Sequence, residues 1–188
     1  MQHDISIHEA LRQGDFSLVV RLIQAGVDIE LCNQDGKTPL HIAAELRKVN
    51  MIALLLEHGA AINVKDIEGR TPLHLAVMDG HLSTMDILLQ KGALLVLQDQ
   101  YGNTPLHLAA LNGHGEGLKL LLEHGAALEA KNQYGNTPLH LTAFNGHGKA
   151  LKLLLEHGAT LEAQGQDGYT PLHGAASKGH GEALKLLL

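Results

Sequence analysis

Tyr101-Gly102-Asn103-Thr104-Pro105-Leu106-His107 contains the string on which the chain is built. Thr-Pro-Leu-His begins at Thr38, Thr71, Thr104, Thr137 and Thr170, so each copy follows the last by 33 residues. A fixed period of that length marks a repeat architecture. Each module is one small unit that buries its apolar face only by stacking on its neighbours. Aligned on the histidine, the chain divides into six modules at 1–32, 33–65, 66–98, 99–131, 132–164 and 165–188, forming a single array. The fourth and fifth modules are near copies, as internal duplication leaves them.

The fourth module shows the local grammar. Thr104 offers a hydroxyl that caps a helix, and Pro105 suits the first helical position, where no N–H is needed. Leu106 to Asn112 then reads as a short helix, and Gly113 supplies its left-handed stop. Gly115 to Glu123 is a second helix with Leu118, Leu121 and Leu122 on one face. From Ala126 to Tyr134 the chain is too short and turn-rich for a third helix. It reads as an extended arm ending in a tight turn at Gly135-Asn136. Helices below about 12 residues do not hold alone in water, so stacking has to stabilise them.

Composition narrows the function classes. Hydrophobic residues make up 45% and charged residues 18%, as in a globular chain, while aromatics are only 3%. The net charge of −6 gives no general attraction to nucleic acid or to an anionic membrane, and favours a partner with a basic surface. Cys32 is the single cysteine and has no internal disulfide partner, which fits a reducing compartment. No apolar run approaches the ~18 residues of a membrane span, and no signal-peptide pattern follows Met1. The expected location is the cytoplasm, although delivery into another cell by a specialised route would leave no trace in such a sequence.

The pattern resembles the ankyrin-repeat family over almost the whole chain. The matching strings are Gly102-Asn-Thr-Pro-Leu-His-Leu-Ala-Ala110, Asn112-Gly-His114 and Leu121-Leu-Glu-His-Gly-Ala126. The resemblance implies an all-α solenoid of helix-turn-helix units with short β-hairpin arms. It also implies a concave groove, lined by arms and first helices, that binds other proteins. The expected function is protein–protein interaction, with no catalysis and no cofactor. In some members an asparagine after the second helix is hydroxylated. Asn63 matches that place and Val96, Glu129 and Glu162 do not, but modification depends on an enzyme of the host cell.

The departures from the pattern matter as well. Ile5-Ser-Ile-His8 replaces Thr-Pro-Leu-His in the first module, which weakens that helix start. Arg21 stands where later modules carry Leu54, Ile87, Leu120 and Leu153, so that face should look at solvent, as a terminal cap does. Arg47-Lys48 replaces Gly-His, so the turn between those two helices should differ. Gly115 and Gly117 sit in a first helical turn, where glycine costs roughly 0.5–1 kcal/mol relative to alanine, with no reason visible in the sequence. The chain stops at Leu186-Leu-Leu188 with no glycine stop. The native protein is therefore expected to continue past Leu188, or an otherwise monomeric chain to associate through that end.

Fourteen histidines look like a metal or catalytic signal. Six are motif histidines (His8, His41, His74, His107, His140, His173). Four follow the interhelical glycine (His81, His114, His147, His180), and three precede the second glycine (His58, His124, His157). His3 alone is left over. Equivalent histidines in stacked modules stand about 10 Å apart, too far to share a metal ligated at ~2 Å. The motif histidine is instead expected to bond to backbone in the adjoining arm. Gly113-His-Gly-Glu-Gly117 superficially matches a phosphate loop but lacks the preceding strand. No metal or catalytic residues are therefore assigned.

The aromatics are the sharper clue. Phe16 is the one left to the core, and the other four fall outside it. Tyr101 and Tyr134 lie in arm turns, Tyr169 lies just before its Thr-Pro, and Phe144 ends a first helix. Met78, Leu111 and Ser177 share the position of Phe144, and the groove reading lines these up beside the tyrosines. Large apolar groups and tyrosines in one patch are what an interface hot spot uses. The competing reading is that tyrosines of successive arms pack on one another. Arg70, Asp79, Lys178, Asn103, Asn112, Asn136 and Asn145 supply the polar surroundings. The asparagines form a ladder able to bond an extended peptide, or one that duplication left without selection. Two further functions stay open: a docking or targeting arm of a larger enzyme or effector, and a self-associating spacer.

Overall fold

The computed structural model describes residues 6–188. His3 and Ile5 lie outside them. The chain forms two compact units, Met1–Leu94 and Leu95–Leu188. The first holds α1 (Ile7–Gln13), α2 (Phe16–Gln24), α3 (Pro39–Glu45), α4 (Val49–Glu57), α5 (Pro72–Met78) and α6 (Leu82–Gln90). The second holds α7 (Pro105–Asn112), α8 (Gly115–Glu123), α9 (Pro138–Asn145), α10 (Gly148–Glu156), α11 (Pro171–Lys178) and α12 (Gly181–Leu187). Within each unit the odd-numbered helices pack side by side as one layer and the even-numbered helices as a second. No strand occurs among the described residues, so the fold is an all-α repeat solenoid. Among the described residues no helix is long and apolar enough to cross a membrane.

Leucine and alanine make the core, as composition requires. Leu40, Leu73, Leu106 and Leu139 repeat every 33 residues in the first layer and are buried. Leu55, Leu88, Leu121 and Leu154 do the same in the second. Burying a leucine side chain contributes about 1.5–3 kcal/mol, which short isolated helices cannot obtain without neighbours.

Each Thr-Pro starts a helix in the same way. Thr38 is extended at φ −74°, ψ 167°, and Pro39 opens α3 without wasting a donor. His41 then completes the cap, a role usually filled by Glu or Gln. The Thr38 backbone N–H donates to His41 Nδ1 at 3.1 Å, and the Thr38 hydroxyl lies 2.8 Å from the same nitrogen. The other ring nitrogen reaches into the next module, where His41 Nε2 donates to the Arg70 carbonyl at 3.0 Å. His8 makes the same 3.0 Å bond to the Lys37 carbonyl, His107 to that of Asn136 and His140 to that of Tyr169. This is the backbone bond expected of the motif histidine. Because Nε2 faces a carbonyl, it carries the proton, and Nδ1 is left to accept. The ring is therefore held neutral, and burial pushes the pKa of His41, His107 and His140 below the ordinary histidine value.

The arms are turns closed by backbone bonds, and no strand ladder forms in them. The Asp99 N–H donates to the Asn103 carbonyl at 3.0 Å, and Asp99 Oδ1 accepts from the N–H groups of Tyr101 and Asn103 at 2.8 Å. Asn33, Asp66 and Asn132 do the same in their own arms. This is an Asx-turn, which satisfies the loop backbone without a partner strand. Successive arms are also tied backbone to backbone, as from the Gln133 N–H to the Tyr101 carbonyl at 3.1 Å. That approach is why Gly102 is needed: it sits at φ +75°, and a Cβ there would lie 2.6 Å from the Gln133 nitrogen. Gly165 replaces the Asx residue in the last arm, which tightens into one 3-10 turn, Gln166–Gly168, with Asp167 at φ 57°.

The turn after α3 corrects an expectation. Arg47 takes φ 57°, the left-handed conformation that Gly80, Gly113 and Gly146 adopt at 68–71°. The turn is kept and the residue strained, because Arg47 Nε donates to His81 Nε2 at 2.9 Å and holds it there. Nothing in the structure explains Gly115, where an added Cβ would meet no atom within 4 Å.

His107→Ala leaves the buried Thr104 N–H unpaired and takes from the Asn136 carbonyl one of its two donors, the Asn132 N–H remaining. It is expected to destabilise by about 2–4 kcal/mol, lowering the melting temperature by roughly 5–15 °C in a thermal scan. The depressed histidines also set a pH dependence. Below the unfolded value of 6.5 the unfolded chain binds more protons than the native one, so stability falls as pH drops from that point toward the lower folded values. Melting temperature at pH 7.5 should exceed that at pH 5.5, and the loss should shrink in a variant lacking these histidines.

Candidate functional site

In the second unit the arm turns and the ends of α7, α9 and α11 leave large side chains uncovered. Tyr101, Tyr134, Phe144 and Tyr169 are 47%, 47%, 42% and 40% exposed, and Leu111 is 39% exposed. A cavity of about 300 Å³ opens among them. Of the residues expected from sequence, Leu111, Asn136, Phe144, Asn145 and Tyr169 line it. Tyr101, Tyr134, Ser177 and Lys178 stand outside its walls. The sequence reading missed four wall residues: His140, Leu141, Thr170 and Gly174.

Gly174 is the informative omission. Steps of 33 residues carry Ile42, Leu75, Leu108 and Leu141 to Gly174. Ile42, Leu75 and Leu108 are 2–4% exposed, whereas Leu141 is only half-buried. The next module presents no side chain over it. This break in the period is visible in the sequence, but it removes a side chain and adds no polar or aromatic group.

Tyr169 is fixed in place. Its hydroxyl donates to the His173 carbonyl at 3.2 Å, and its ring centroid lies 5.4 Å from that of His173. That is the only aromatic pair among the described residues, so the tyrosines of successive arms do not stack on one another. Lys178 Nζ stands 4.6 Å from the centroid of the Phe144 ring, a cation–π arrangement. Ser177 is exposed, and its hydroxyl donates to the Gly174 carbonyl one turn back at 2.9 Å.

The amides divide by duty. Asn103 is buried, and its Oδ1 accepts from Asn132 Nδ2 at 2.9 Å. Asn103, expected among the polar residues around the groove, is instead a structural link: the Asx-turns of two arms meet through it. Asn112 Nδ2 donates to the Leu108 carbonyl at 3.0 Å, and Asn145 Nδ2 to the Leu141 carbonyl at 2.8 Å. Each bonds a carbonyl one turn earlier in its own helix, so the amide group is turned back onto the helix that carries it.

The first unit treats its matching positions differently. Arg70 pairs with Asp66 at 2.8 Å and Glu68 at 3.0 Å. The Asp66 side chain is fully buried, so Arg70 is the counterion that makes the burial of that carboxylate tolerable. Met78 is half-buried at the end of α5, and Asp79 is exposed 3.7 Å from His81 Nε2. Asn63 Oδ1 accepts from the Leu94 N–H at 3.0 Å, tying one arm to the next. Phe16 corrects a second expectation. It opens α2 and is 44% exposed rather than in the core.

The histidines outside the motif are also spoken for. His58, His124 and His157 bond through Nδ1 to carbonyls four residues earlier, at 2.8–3.0 Å. His147 and His180 reach back from one helix pair to the preceding one, bonding the carbonyls of Leu111 and Phe144 at 2.9 and 3.1 Å.

Paired helices, Thr-Pro caps and histidine ties to the next arm define a repeat-solenoid protein with an uncovered arm-side face. The chain belongs to the ankyrin-repeat family: a family model described as ankyrin repeats (3 copies) matches residues 7–99, 62–132, 94–164 and 127–188 in overlapping stretches. Members of this family are generally protein-interaction modules and typically non-catalytic. No match was found among curated proteins.

Asn103→Ala removes the acceptor of a buried amide and should destabilise by about 1–2 kcal/mol. Tyr101→Ala, two residues away, should stay within about 0.5 kcal/mol. Urea midpoints of the two variants check the division between structural and exposed positions.

Proposed function

We propose that the chain binds another protein through the arm-side face of its second unit and performs no catalysis itself. The observation that carries this reading is the placement of the aromatics. All five are 40–47% exposed, and none serves the core. Exposed aromatic area is poorly solvated and well suited to anchor an interface. Tyr101, Leu111, Tyr134, Phe144 and Tyr169 are the anchors. Asn112, Asn136, Asn145, Ser177 and Lys178 make the rim. In the first unit the corresponding exposed group is Asp79.

The backbone under these anchors is closed by Asx-turns and histidine bonds, so binding uses a preformed surface with little rearrangement. A net charge of −6 and the absence of a basic stripe among the anchors argue for a protein partner over nucleic acid or membrane.

A random 12-residue peptide library displayed on phage and selected on the chain tests the reading. Enriched peptides should lose at least tenfold in affinity, about 1.4 kcal/mol, for the Tyr134→Ala, Phe144→Ala double variant. Its melting temperature should stay within roughly 5 °C of wild type. A sharp fall in melting temperature would make the pair packing residues.

A further inference from the structure

We infer that the cavity beside Gly174 is a socket for one bulky apolar side chain of a partner segment, carried next to an acidic residue. This rests on the protein-binding reading above and names the chemistry of the partner. At the four preceding steps of the repeat an isoleucine or leucine closes this place, and at Gly174 the chain removes it. Leu141 and Phe144 are left facing open space in a cavity of about 300 Å³. That is the lower end of the range for small-ligand sites and is enough for a leucine, methionine or phenylalanine side chain.

The walls select an apolar guest. The Gly174 carbonyl is taken by Ser177, and the Leu141 carbonyl by Asn145. His140 is bonded through both ring nitrogens, to Thr137 and to the Tyr169 carbonyl. The Thr170 hydroxyl lies against His173 Nδ1 at 2.8 Å. A polar or ionic guest would lose its water and find few groups left to bond, whereas an apolar one gives up nothing. Asn136 at the wall can meet the backbone of the segment that carries the guest.

Charge sets the neighbour. No wall residue is acidic, and Lys178 stands over the Phe144 ring with no carboxylate partner among the described residues. A carboxylate adjacent to the inserted side chain is attracted to that ammonium, and a Lys or Arg there is repelled. The partner is therefore a protein segment with an apolar residue beside Asp or Glu.

The phage-selected peptides decide this when measured on four variants. Gly174→Leu restores the residue type of Leu108 and Leu141, so it should fill the socket without lowering the melting temperature. Gly174→Ala adds one methyl at 3.5 Å from Phe144, an ordinary contact, and keeps the fold in any case. Enriched peptides should share an apolar residue next to Asp or Glu. They should lose at least tenfold in affinity for Gly174→Leu, two- to fivefold for Gly174→Ala and threefold or more for Lys178→Glu. Unchanged affinity for both Gly174 variants, with loss for a Tyr101→Ala, Tyr134→Ala pair, overturns the socket and leaves the arm-side face standing. Should Gly174→Leu melt early, Gly174→Ala decides alone. A Lys178→Glu variant that binds as well as wild type overturns the acidic neighbour. No enriched peptide at all overturns both the socket and the binding face.

Discussion

An imidazole bonded at both nitrogens, within its own module and in the next, is the interaction on which the rest depends. In His41, His107 and His140 one nitrogen finishes the cap of the helix that carries the residue. The other holds the arm that begins the following module. A seven- or eight-residue helix cannot persist by itself, so the repeat has to couple its local start signal to its long-range contact. Using one side chain for both makes each helix conditional on its neighbour. It also requires a neutral ring, which burial secures. Stability of this kind is cooperative within a unit and sensitive to acid.

Once the histidines, Asx-turns and leucines carry the fold, the remaining positions are released. That release explains why every aromatic stands at the surface in a chain whose core is leucine and alanine. The same division separates residues that look alike. Asn103 and Asn136 occupy equivalent sites in near-identical modules. Asn103 is sunk between two arms, while Asn136 edges a cavity, because the arm after Asn136 has Gly165 in place of an Asx residue. Arg70 fills that position in the first unit and is committed to a buried carboxylate.

Much of the architecture was legible from residues alone. The 33-residue period, the Thr-Pro starts, the second helix from Gly115 to Glu123 and the histidine bond to the next arm all follow from local chemistry repeated at fixed spacing. Some of the candidate face was legible too, since Leu111, Phe144 and Tyr169 break the pattern by adding bulk. Gly174 breaks it by removing bulk, and a missing side chain has no chemistry to search for. Only the half-exposure of Leu141 shows what the glycine leaves open.

The sequence by itself determined the repeat, the helix boundaries and which residues cap them, because these depend on contacts three or four residues apart or on one fixed period. Tertiary structure decided which equivalent residues are structural and which are exposed. Arg47 keeps a glycine turn because His81 holds it, Asn103 is buried because Asn132 meets it, and Phe16 is exposed because the next module covers it only in part. Each outcome rests on a neighbour about 30 residues away, and local pattern carries no information about that.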